Sequence, residues 1–262
     1  MKYVNNIDHK DCVGKLCKSK NSGDFIITKY HDHKHVEVKF LLSGYETVKQ
    51  LTHIKNGEVR DPYCPSVYGV GITGDKFPIH EKINAKERVF TLQYNTWHSM
   101  LTRCYSDKFL LNNPTYNGCS VSENFKHYEY FYEWCNEQVG FKNEGWNLDK
   151  DLLIKGNKIY SEDTCVFLPR ELNLLLINNG VSRGDLPIGV SYHVRNKKFQ
   201  ANINLNTGRT KSLGYYNTPE EAFYTYKEAK EDFIKEQANK WKDQIDPRAY
   251  EALMNYEVDI ND

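Results

Sequence analysis

Residues 218–221 read Thr-Pro-Glu-Glu, and this tetrapeptide constrains the fold more than any other feature of the chain. Thr218 has an N-cap hydroxyl, and Pro219 suits the first helical position, where no backbone donor is needed. Glu221 stands where its carboxylate returns to the cap. The box predicts a helix from Pro219 to about Trp241. Immediately before it, PIGVSYH, KKFQANINLN and the TGRT/KSLGYY stretch read as three short strands joined by tight turns. A period of two turns Phe199, Ala201 and Ile203 toward that helix, against Ala222, Phe223 and Tyr226. Gln200, Asn202 and Asn204 then face the other way. Asp246-Pro247 restarts a last short helix.

Charge is distributed unevenly over the same region. The chain carries 35 Lys and Arg against 35 Asp and Glu, a net charge of zero, which taken alone argues against a polyanionic partner. Yet residues 186–219 contain no acid, while Arg195, Lys197, Lys198, Arg209 and Lys211 lie in or beside the strand turns. Residues 220–262 hold twelve acids against six bases. A basic face with an acidic flank steers a polyanion to one surface; an ordinary hairpin that lacks acids has the same composition.

The remainder reads as an α+β chain of 262 residues, enough for roughly two domains of about 100–150 residues. GDFIITKY and VEVKFL are strands of a small, strongly bent, barrel-like β module over residues 1–75, followed by a Gly- and Pro-rich linker or docking loop, PYCPSVYGVGITGDKFP. His31, His33 and His35 alternate, as metal ligands on a strand face would, but a hairpin turn with solvated imidazoles is the expected reading. Tyr94, Trp97, Leu101 and Cys104, then Tyr128, Phe131, Cys135 and Val139, recur at helical spacing. They predict helices near 91–105 and 124–139, the second capped by Asn124 and ended by Gly140. Their aromatics are expected to be core. Next come a short strand at 148–153, a loop at Gly156-Asn157, a strand at 164–168 and a helix at 169–177. The expected domains are thus 1–75, 76–182 and 183–262, the last a three-stranded antiparallel sheet packed on a helix.

Seven cysteines without a C-x-x-C pair point to thiols in a reducing cytoplasm. Cys12 and Cys17 have a permitted zinc spacing, but no second pair follows. No apolar run nears the ~18 residues of a membrane span, and MKYVNNIDHKD has no apolar signal core. A cytoplasmic protein with no membrane partner is expected.

Two segments together resemble known families. PIGVSYHVRNKKFQANINLNTGRTKSLGYYNTPEEAFYTYKEAKEDF resembles the ethylene-response-factor (APETALA-two) DNA-binding domain. The matching residues are Gly189-Val190, then Phe199, Ala201 and Ile203, then Leu213-Gly214-Tyr215, and Glu221-Ala222 with Tyr226. The preceding LDKDLLIKGNKIYSEDTCVFLPRELN resembles an HNH homing-endonuclease core, and LDKD, GNK.YS and the NTPEEAF ending are similar to a recurrent type of phage protein. The resemblance covers roughly 91–262. It implies double-stranded DNA contacts from His193, Arg195, Asn202 and Asn204, with Lys197, Lys198, Gln200, Arg209 and Lys211 nearby. Family members usually carry more Arg and Trp there, and Ser191 and Ser212 stand at such positions. For the nuclease core it implies a site at Asp149, Lys150 and Asn173, with Asn157 in the loop and Asp149 and Asn173 as ligands of Mg²⁺ or another divalent metal. Lys150 takes the place of the histidine base. A lysine flanked by Asp149 and Asp151 keeps its proton and is a poor base, so the centre is expected to be degenerate.

Three functions follow: a phage or mobile-element DNA-binding protein descended from a homing endonuclease, an active metal-dependent endonuclease or nickase, and a phage-encoded inhibitor of a host defence protein. The last would use the acidic C-terminal helices or the aromatic N-terminal part.

Overall fold

The computed structural model describes residues 11–176, 185–205 and 210–262. Contacts divide the chain into two units, Met1–Cys135 and Asn136–Asp262. The N-terminal sheet and the first long helices fall in the first, and the strand-loop-strand-helix segment groups with the three-stranded module in the second. The architecture is α+β.

In the first unit, β1 (Leu16–Ser19), β2 (Gly23–Tyr30), β3 (Val36–Phe40) and β4 (Glu46–Lys49) form an antiparallel sheet in that order. Opposed Phe25–Phe40 and Ile27–Val38 pairs build its buried face with Val36, Cys12, Cys17 and Val59. The short helix α1 (Leu51–Lys55) adds Leu51 and Ile54 to that core. The barrel-like expectation is corrected: the sheet is open, with β1 and β4 as its edges. A closed barrel leaves no edge strand, whereas this sheet has two and buries one face. Both Cys12 and Cys17 are core residues, burial raises the Cys17 thiol, and all seven cysteines are thiols.

The three alternating histidines lie in and beside the turn between β2 and β3. His31 pairs with Glu37 at 2.6 Å and His35 with Asp32 at 2.9 Å. The hydrogen bond from the His35 ring, helped by the Lys34 N–H, lowers Asp32 to about 2.

The Gly- and Pro-rich stretch after the sheet is docked through residues 72–77. Ile72 exchanges backbone bonds with Lys126 and Tyr128, and the Asp75 and Lys76 N–H groups donate to Glu129 Oε1. Phe77 stacks on Tyr132 at 4.1 Å. A fully exposed hairpin follows, β5 (His80–Lys82) with β6 (Arg88–Phe90).

Helix α2 (Leu92–Tyr105) is capped by Thr91 and buries Trp97, Met100, Leu101 and Cys104. The exposed helix α3 (Asp107–Asn112) buries nothing, so it left no apolar stripe in the sequence. After the two-residue strand β7 (Ser120–Val121), helix α4 (Tyr128–Glu137) begins four residues later than expected. Asn124–Lys126 form a 3₁₀ turn instead of the first α turn. Tyr128, Phe131, Trp134 and Cys135 are core, and Trp97 Nε1 donates to the Phe125 carbonyl at 2.7 Å.

In the second unit, β8 (Trp146–Asp149) pairs with β10 (Val166–Pro169), and helix α5 (Arg170–Leu175) follows directly. A two-residue strand, β9 (Ile159–Tyr160), lies between them in sequence. The expected continuation of α5 to Ile177 lies outside the described residues. The last module is the antiparallel sheet β11 (Val190–His193), β12 (Lys198–Asn204) and β13 (Thr210–Tyr216), backed by α6 (Pro219–Trp241). Thr218 and Glu221 form the capping box reciprocally.

Helix α6 serves two cores. Its first half packs Ala222, Phe223 and Tyr226 on Val190, Ala201 and Ile203. Its second half packs Ile234 and Ala238 on Leu168, Leu172 and Leu175 and on α7 (Pro247–Met254). Phe233 and Tyr256 touch both clusters. The Trp146–Leu175 segment and the three-stranded ribbon thus share one spine of 23 residues, about 34 Å long.

Candidate nucleic-acid interface

Strand register decides which side chains share the outer face of the ribbon. Ala201 and Ile203 are buried against α6, so their neighbours Gln200 and Asn202 point outward. Ser191 lies opposite Gln200, and Gln200 opposite Tyr215. His193 lies opposite Lys198 and packs on the edge of Tyr215 at 5.1 Å. A bulge between Ala201 and Asn202 slips the pairing of β13, so Asn202 lies opposite Ser212 and Asn204 opposite Thr210. Ser191, Asn204, Ser212 and Tyr215 are exposed. Gly189, at φ +77°, starts the ribbon because a Cβ there would collide with the Tyr226 ring.

The cations gather at one end. His193 closes β11, and the turn to β12 exposes Arg195, Lys197 and Lys198. Lys197 holds a left-handed φ of +52°, and the Asn196 N–H donates to His193 Nδ1 at 3.2 Å. Among the described residues, no carboxylate pairs with these three cations, so their charge projects into solvent. Lys211 is placed differently from expectation. It lies opposite Ile203, the buried residue, and lines the cleft against α6 with Asp232 and Glu236. The one-residue slip of the bulge moves it off the face that carries Gln200 and Asn202. Arg209 lies outside the described residues.

The outer amides are not equivalent. Asn202 Nδ2 donates to Ser191 Oγ at 2.9 Å and to the Gln200 carbonyl at 3.4 Å, which uses both its N–H groups. Among the described residues Gln200 Nε2 donates once, to Ser212 Oγ at 2.8 Å. It retains one N–H and its Oε1, the donor–acceptor pair that matches adenine N7 and N6 in the major groove.

The loop that carries Asp149, Lys150 and Asn157 is closed by its own hydrogen bonds. Asp149 Oδ1 accepts from the Asp151 and Leu152 N–H groups at 2.9 and 2.8 Å. Burial pushes the Asp149 carboxyl above the usual carboxylate range. The Lys150 side chain is buried, donates to Asp151 and to the Asn157 carbonyl, and lies 5.6 Å from the Tyr160 ring centroid. The Asn157 amide donates to the Lys150 and Ile159 carbonyls. Asn173 is half-buried on α5. This donor set does not suit a divalent cation: Asp149 Oδ1 is engaged by two backbone N–H groups, and the Lys150 ammonium is held in the same loop. Among the described residues no group of three or more His, Cys, Asp or Glu is placed to hold a metal.

Sequence reasoning missed the partnership of Tyr215 with His193, and the corner where Trp146 meets Trp241 at 5.9 Å. The first needs the register across two hairpins. The second joins residues 95 positions apart, and no local pattern signals it. No protein-family model, no curated protein and no solved structure matches this chain. Among the described residues no helix is long and apolar enough to cross a membrane.

Proposed function

We propose that the chain binds double-stranded DNA through the outer face of β11–β13, without cleaving it. The observation that carries this reading is the pairing of an exposed amide-and-hydroxyl row with an uncompensated cation cluster at one end. Arg195, Lys197 and Lys198 neutralise phosphates and set the register, and Gln200 reads a base edge. Asn202 holds the row together with Ser191 and contributes only its carbonyl outward. The sheet is three strands wide and braced from behind by α6, so its face stays rigid as it enters a groove. The resemblance to the ethylene-response-factor domain supports the same face. The nuclease-like segment then acts as a scaffold on the same spine, a phage or mobile-element endonuclease core that has lost its base.

Binding of random duplex pools, measured by fluorescence anisotropy over a salt series, tests this. Three phosphate contacts give a slope of log K on log salt of about −2.7. Arg195→Ala with Lys198→Ala is expected to reduce that slope by about 1.8. Gln200→Ala is expected to relax base preference while leaving the slope unchanged. A slope untouched by the double substitution removes the proposed face. Plasmid nicking with Mg²⁺ or Mn²⁺ that is abolished by Asp149→Asn would restore the nuclease reading.

A further inference from the structure

The hairpin β5–β6 and the start of α2, all in the first unit, carry a surface that the duplex reading leaves unused. Strand register sorts the hairpin by face. His80 lies opposite Phe90 and Lys82 opposite Arg88, with Glu81 opposite Val89 between them. The Ile83 N–H donates to the Glu87 carbonyl and continues the pairing. A period of two therefore puts two rings and two cations on one face. Both acids, Glu81 and Glu87, lie on the other with Ile83 and Val89. All eight side chains are exposed. Among the described residues no carboxylate pairs with Lys82 or Arg88.

The rings of that face continue into a ladder. His80 stacks on Phe90 with centroids 4.5 Å apart and planes at 27°, and Phe90 on Tyr94 at 5.0 Å and 25°. Tyr94 leans on His98 at 5.8 Å, and His98 on Tyr68 at 5.5 Å. The inner end is anchored, since Tyr94 also packs on the buried Trp97 and Tyr128. The base of the hairpin is held as well. The Thr91 N–H donates to the Ile79 carbonyl, Tyr128 OH to the Pro78 carbonyl and Asn95 Nδ2 to the Phe90 carbonyl. Among the described residues Phe90 is the one ring stacked on His80, so the other imidazole face is open at the outer end of the row.

We infer that this face binds single-stranded DNA, with a base stacked on the open side of His80 and the adjoining phosphates met by Lys82 and Arg88. Charge and shape choose the ligand. The face is cationic and free of acids, which makes it complementary to a polyanion. Aromatic rings beside a cationic track hold an unpaired strand without reading its sequence, because every base has a π face. A duplex keeps its bases stacked inside and offers His80 no such face. Lys and Arg are donors only, so they give no acceptor to the 2′-hydroxyl that marks RNA. The site shares no residue with the ribbon, and it gives the chain one surface for paired and another for unpaired DNA.

Fluorescence anisotropy of the full chain with labelled octathymidylate, over a salt series, tests this. The comparison probes are an abasic octamer of equal charge, octauridylate and octaglutamate. Octathymidylate is expected to bind about tenfold tighter than the abasic strand. His80→Ala is expected to weaken it by about tenfold, and His80→Phe, which keeps a ring, to retain binding. Lys82→Ala with Arg88→Ala is expected to reduce the slope of log K on log salt by about 1.4. Equal affinity for the abasic strand or for octaglutamate, tighter binding of octauridylate, or full binding by His80→Ala would each overturn the inference. Strand binding that is lost in Arg195→Ala with Lys198→Ala but kept in His80→Ala would move the strand to the ribbon. That result overturns this inference and leaves the duplex reading standing.

Discussion

Asp149 and Asp246 both begin local turns in the C-terminal unit, yet their surroundings drive them in opposite directions. At Asp149 burial outweighs the two backbone donors and raises the carboxyl. At Asp246, the N-cap of α7, burial also raises it, but the Arg248 guanidinium and N–H outweigh that and leave it lowered. The linkage signs follow. A raised Asp stabilises the fold at pH values below about 3.9, and that contribution is lost as pH rises through its folded value. A lowered Asp stabilises above about 3.9, and loses its effect as pH falls through its folded value. Asp149→Asn, which still accepts from Asp151 and Leu152, is therefore expected to melt no lower than the parent at pH 7. Asp246→Asn is expected to melt lower at pH 7 and to converge with the parent in acid. Thermal melts of both variants between pH 3 and pH 7 check this. A marked loss for Asp149→Asn at neutral pH would show that its charge is needed.

At the scale of the element, the capping box and the bulge do separate work. The box starts α6 at one defined residue, so the apolar stripe of Ala222, Phe223 and Tyr226 meets the ribbon in register. Thr218→Ala removes a side-chain acceptor and frees the box, and is expected to cost about 1 kcal/mol, visible as a lowered melting temperature. Unchanged stability would mean that tertiary packing alone sets the helix start. The bulge in β12–β13 sets which residues of β13 share the outer face with Gln200 and Asn202. The strands themselves were legible from period two, and so was the orientation of Gln200 and Asn202. The bulge was not: Gly214 stands beside it at φ +149°, but a glycine in a strand hints at a bulge without fixing which residue is extra. Lys211, expected in or beside the strand turns among the DNA-contacting residues, turns toward α6 because of the bulge.

At the scale of the molecule, α6 packs on both the Trp146–Leu175 segment and the ribbon and is expected to couple them. Ile234 is fully buried in the cluster that holds α5, β10 and α7. Ile234→Ala is expected to cost about 2–5 kcal/mol. Hydrogen exchange is expected to show β8, β10 and β12 losing protection together. Loss confined to the Trp146–Leu175 segment would show two independent bodies. The acids that cancel the overall charge lie on and after this helix, partly in i,i+4 pairs such as Lys227–Glu231 and Glu236–Lys240. Zero net charge thus coexists with a cationic turn.

The sequence by itself determined the features written in short windows. These are the capped helix, the three strands before it, the acid-free stretch with its turn cations, the thiol state and the helices at Trp97 and Phe131. Each rests on neighbours within a few residues, where backbone sterics and side-chain period decide the outcome. Only the tertiary structure decided the open sheet in place of a barrel, the slip that removes Lys211 from the outer face, the spending of both Asn202 donors, and the Trp146–Trp241 corner. Those depend on which distant segments touch. Contact is set by packing and register summed over the whole unit, and no single stretch of the chain encodes it.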